Sequence, residues 1–164
     1  MILGMTPFTF FHVLLSLAGI FSGFVVVLGF IGGKRLDRWT AVFLATTVLT
    51  SVTGFLFPVH HFMPSHAVGI ISLVVLALAV YALYLRRLAG AWRRVFVITA
   101  AIAQYLNFFV LIVQLFTKVP ALKVLAPTQS ELPFKVAQLT TLVIFVLLTI
   151  LASMKFRGDV TRKA

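Results

Sequence analysis

Cysteine is absent from the 164 residues. That excludes disulfides, thiolate metal sites and cysteine nucleophiles together. Acidic residues are nearly absent as well: Asp37, Glu131 and Asp159 are the only three. Ser65–His66 and His12/Ser16 therefore lack the orienting acid that a hydrolase triad needs. No glycine-rich phosphate loop occurs, because Gly32 and Gly33 follow an apolar helix and mark its end. Charged residues of all kinds make up 10% of the chain, far below the roughly 25% of a soluble domain.

What is present is apolar. Hydrophobic residues make up 62% of the chain and the mean hydropathy is +1.14. The solvent for most of this chain is lipid, and its length suits a single bundle. The formal charge of +11 resembles a nucleic-acid signal, but Lys and Arg fall between the apolar runs, where membrane proteins place topological anchors. Such residues also meet anionic headgroups. The expected partner is the lipid bilayer, with other membrane proteins or further copies of the chain beside it, and not nucleic acid.

Five runs are long enough to span the hydrocarbon as helices, which takes about 20 apolar residues. They cover about 8–31, 39–57, 66–85, 95–116 and 133–154, followed by a basic tail, 155–164. None has an acid, Lys or Arg in its middle. The runs are continuous and not alternating, which excludes a membrane β-barrel and leaves helices. Thr6 is the expected N-cap of the first helix with Pro7 at its first position, and Ser65 caps the third. The opening MILGMTPFTF has no basic segment ahead of its apolar stretch, so the first run is expected to be a retained helix and not a signal peptide. Pro120 to Leu125 is expected to form a short surface turn of helix stopped by Pro127.

The basic residues orient the bundle. Lys34, Arg35 and Arg38 lie in the first loop, Arg86, Arg87, Arg93 and Arg94 in the third, and Lys155, Arg157, Arg162 and Lys163 in the tail. The second loop has none, and the fourth has Lys118, Lys123 and Lys135. Five spans put eleven cations on one side and three on the other. The expected fold is thus an all-α polytopic transmembrane bundle of five helices, N-terminus outside and C-terminus cytoplasmic. Trp39 and Trp92 both fall at the cytoplasmic interface.

Two groups of residues could carry chemistry. The same topology gathers all four histidines, His12, His60, His61 and His66, near the outer face, with Met63 among them. His12, Ser16, Gly19 and Gly23 share a stripe, which turns His12 toward the bundle mouth. The plain reading is interfacial histidine, a ring half apolar and half polar. The sharper one is a metal or haem site: axial imidazoles on a haem b, or His with Met on copper. On the fourth helix, Gln104, Asn107 and Gln114 share a face with Ala100 and Leu111, and the second helix offers Thr46, Thr50, Thr53 and Gly54. Such groups usually bond helix to helix. Their alternative role is to line a narrow path for a small molecule. No intramembrane carboxylate or Lys is present for proton-coupled transport. The expectation is a non-enzymatic membrane component or accessory subunit.

The stretches GGKRLDRWTAVFLATTVLTSVTGFLFP, MPSHAVGIISLVVLALA and KVPALKVLAPTQSELPF resemble those of small bacterial inner-membrane proteins to which no activity is assigned. The resemblance covers most of the chain. It implies an all-helical protein, multi-pass in a bacterial cytoplasmic membrane, and it transfers no functional residue.

Overall fold

Long apolar runs bounded by Pro, Gly and charge form helices because a chain in lipid must satisfy its backbone groups internally. The computed structural model describes residues 6–57 and 64–157. All regular structure among them is helical: α1 (Pro7–Ile31), α2 (Asp37–Gly54), α3 (Pro64–Val80) extended by a π turn (Tyr81–Leu85), α4 (Trp92–Lys118), α5 (Pro120–Leu125) and α6 (Leu132–Lys155). His60, His61, Met63 and the end of the basic tail lie outside the described residues.

The helix ends follow local chemistry. Thr6 Oγ1 accepts from the Thr9 amide at 3.2 Å and Pro7 opens α1. Gly33, at φ +68°, takes the left-handed conformation that ends it. The expected cap at Ser65 is displaced, because α3 already begins at Pro64. At the other end of α3 the backbone widens into i→i+5 bonding, with the Arg86 amide on the Tyr81 carbonyl at 3.0 Å. Arg87 and Leu88 follow at φ +49° and +60°. Left-handed backbone is strained for such residues, and here it turns Leu88 into the core, where it is buried. The short α5 occupies the expected residues.

Among the described residues, four helices are long and apolar enough to cross a membrane: 7–31, 65–85, 92–118 and 132–155. The expected second span is the exception. Its helix has 18 residues, begins on Asp37 and Arg38 and contains five threonines. Its polar side is covered by protein, since α2 packs more extensively on α1 than any other pair of helices does. Elsewhere the surface is hydrocarbon. Phe21 is 63% exposed, Leu28 60% and Leu139 61%, a pattern that lipid solvates and water does not.

The core divides into a large cluster and a small one. At the basic end Phe30, Phe43 and Phe96 are buried with Phe156, which lies beyond the end of α6. The Phe30 and Phe156 rings are 4.8 Å apart and the Phe30 and Phe96 rings 5.4 Å. At the opposite end Ile112, Phe116 and Ala126 form a small cluster with Phe134. Between them the closest backbone approach is at Gly23 of α1. A Cβ there would overlap the Gln104 carboxamide and lie 2.9 Å from Phe43 Cε2. Gly23→Ala is expected to destabilise the bundle by about 1–3 kcal/mol through overpacking. Gly19→Ala, whose Cβ would lie 3.2 Å from the Thr47 hydroxyl, should cost less. Thermal melts of both variants in detergent provide the check.

Candidate functional site

Polar side chains inside a lipid-solvated bundle bond to neighbouring helices when these come within reach. Gln104, fully buried on α4, donates Nε2 to the Ile20 carbonyl of α1 at 2.8 Å. Its Oε1 has no hydrogen-bond partner and occupies the space that a Cβ on Gly23 would fill. Asn107, one turn further along, donates Nδ2 to Thr47 Oγ1 of α2 at 3.1 Å. Gln104 and Asn107 thus tie α4 to both α1 and α2.

Gln114 does not join them. It is exposed although it lies within about 20° of Asn107 on the helical wheel, in the last turns of α4. A different glutamine on a different helix makes the other tie: Gln138 of α6 donates to the Phe109 carbonyl at 3.2 Å. On α2 the expected threonines divide by role. Thr46 bonds back to the Val42 carbonyl at 2.7 Å, and Thr50 Oγ1 is buried without a partner. Thr53 meets His12. Thr47, the actual partner of Asn107, was not on the predicted face. The signal for it was the seven-residue spacing from Thr40, which returns to nearly the same side after two turns. Both are buried.

No family model, no curated protein and no solved structure matches the chain.

The histidine group is placed in part. The Thr53 hydroxyl hydrogen is engaged on the Leu49 carbonyl at 2.7 Å, so Thr53 Oγ1 accepts from His12 Nδ1 at 2.8 Å. That places a proton on Nδ1 of the His12 ring. His12 also sits edge-on to Phe57, centroids 5.0 Å apart, and His66 stacks on Phe55 at 5.7 Å. Both rings are therefore packed around the end of α2. Among the described residues no three His, Cys, Asp or Glu side chains gather as a metal site. Glu131, the acid at this end, is engaged in its own turn. Burial raises its pKa, but hydrogen bonds from the Thr128 hydroxyl and from the Thr128 and Ser130 amides outweigh that effect. The carboxyl is held below the usual glutamate range as an anion at the start of α6.

Between α4 and α6 lies an open apolar groove of about 210 Å³, lined by Ile98, Tyr105, Phe145 and Ile150 among others. It lacks the convergent polar groups of a substrate pocket, since the Thr149 hydroxyl is turned onto the Phe145 carbonyl at 2.6 Å.

If Asn107 and Thr47 act as interhelical glue, a double-mutant cycle of Asn107→Leu and Thr47→Val should give a coupling of about 0.6 kcal/mol, and at most ~1.7 kcal/mol. Denaturant or thermal unfolding of the four proteins in detergent measures it. Zero coupling would dissociate the pair.

Proposed function

We propose that this chain is a non-enzymatic membrane component, an accessory subunit held in place by its helix faces. The observation that carries the reading is the engagement of Gln104 and Asn107 on Ile20 and Thr47. The two carboxamides in the middle of α4 serve packing, and no described cluster of side chains has the makings of a catalytic set. A permeation path along α4 would need a wet cavity reaching Asn107, and Gln104 beside it is fully buried.

The bundle is read as five spans with the N-terminus outside and the C-terminus in the cytoplasm. Two observations support counting α2. First, it runs the length of the bundle, from the basic turn after α1 to Thr53 beside His12. Second, 18 residues extend about 27 Å, close to the ~30 Å hydrocarbon thickness. The excess of Lys and Arg at one end supports the orientation. The resemblance to small bacterial inner-membrane proteins points to a bacterial cytoplasmic membrane.

Reporter fusions test the topology. A reporter at the C-terminus should be active only in the cytoplasm and one placed after Phe57 only outside, and the reverse pattern would overturn the orientation; a reporter placed after Gly33 should be active only in the cytoplasm, whereas a four-span chain without α2 would put it on the same side as the one after Phe57. Native mass spectrometry after mild extraction tests the role. A partner protein or a second copy should be retained, and a strictly monomeric protein would count against an accessory subunit.

A further inference from the structure

The end of the bundle formed by the α1–α2 turn, the α3–α4 turn with the start of α4, and the end of α6 carries nine of the described Lys and Arg residues and one acid, Asp37. That acid is paired with Arg35. The three segments are in contact. A Cβ at Gly33 would lie 3.5 Å from the Lys155 carbonyl, and Arg93 donates Nη1 to the Arg157 carbonyl at 2.9 Å. Phe156, buried among Phe30 and Phe96, anchors the end of α6 here.

Arg93 is the unusual member. Its Nε is buried and has no hydrogen-bond partner, and its one described acceptor is a neutral carbonyl. A guanidinium stays charged in any protein environment, and a buried charged donor left unmatched is costly. The surroundings add to the deficit. The first turn of α4 has no acid and no side-chain cap, so Arg93 and Arg94 lie at the positive end of a 27-residue helix. Arg86 is turned away onto the face of Trp92, 5.2 Å from the ring centre. Asp37, the acid described at this end, is taken by Arg35, so the half-buried guanidinium of Arg93 has no described counter-charge, and its exposed Nη1 side is open to an anion. Tyr81 and Trp92 pack together at 5.1 Å, the aromatic pairing that marks the headgroup level of a membrane. The anion at that depth is a lipid phosphate.

We propose that this end of the bundle binds an anionic phospholipid, its phosphate seated at Arg93 between the first turn of α4 and the end of α6, with exposed Lys34 and Arg94 adding to its field. The inference rests on the chain spanning a bilayer and not on which way it faces or what it assembles with. The experiment uses the full chain in detergent, titrated with phosphatidylglycerol, phosphatidylcholine or inorganic phosphate, and reads lipid retention by native mass spectrometry together with the melting temperature. Phosphatidylglycerol should be retained and should raise the melting temperature, and the other two should not. Arg93→Gln should weaken retention at least about fivefold, the factor equivalent to ~1 kcal/mol per cation at a membrane surface. Lys123→Gln, at the opposite end, should leave it unchanged. If Arg93→Gln fails to fold, the exposed pair Lys34→Gln/Arg94→Gln should show the same loss without a loss of folding. Asp159→Asn identifies a competing source of the anion within the chain. Should it lower the melting temperature as Arg93→Gln does while phosphatidylglycerol has no effect, the counter-charge is the chain's own and the proposal is overturned. Equal retention by wild type and the Arg93 or paired variant would overturn it too, as would a response to inorganic phosphate equal to that for the lipid.

Discussion

A carboxamide in the middle of a membrane helix has no water to bond with, and the bundle is arranged around that constraint. Gln104 reaches Ile20 on α1, and it can do so because Gly23 presents no Cβ where the amide lies. The same closeness brings Phe43 of α2 against Gly23, so three helices meet at one cross-section. Asn107 then falls opposite Thr47. With the hydrophobic effect absent between helices in lipid, such close packing and a few polar ties are what distinguish one arrangement of apolar helices from another.

The two ends of the bundle solve different problems. At the basic end three phenylalanines and Phe156 fill the space beneath a layer of arginines, and the strained turn at Arg87 and Leu88 drives a leucine into that packing. At the histidine end the turn before α6 is held by Glu131 and tied back to α4 through Gln129, which donates to the Thr117 hydroxyl. Charge dominates one end and short-range turn chemistry the other.

Much of this was legible in advance. Proline, glycine and threonine at run boundaries located the helix starts, and Pro120 to Leu125 was recognisable as a separate short helix between two prolines. The stripe of His12, Ser16, Gly19 and Gly23 was readable because small residues at helical spacing mark a face that another helix must approach. The fourth-helix face was readable for Gln104 and Asn107 but not for Gln114, which keeps nearly the same phase as Asn107 but is exposed near the end of α4. Thr46 and Thr47 are adjacent and equally polar, so composition could not say which of them Asn107 would reach.

The amino-acid sequence by itself determined the class of the molecule: an all-helical chain with apolar runs long enough for lipid and cations gathered between them. These are properties of composition and period, which need no knowledge of neighbours. Only the tertiary structure decided that α2 hides its polar side against α1, that Thr47 and not Thr46 meets Asn107, and that the Nε of Arg93 is enclosed without a hydrogen-bond partner. Those outcomes depend on helix rotation and the separation between helix axes. In lipid, both are set by van der Waals contact and a handful of hydrogen bonds between segments far apart in the chain.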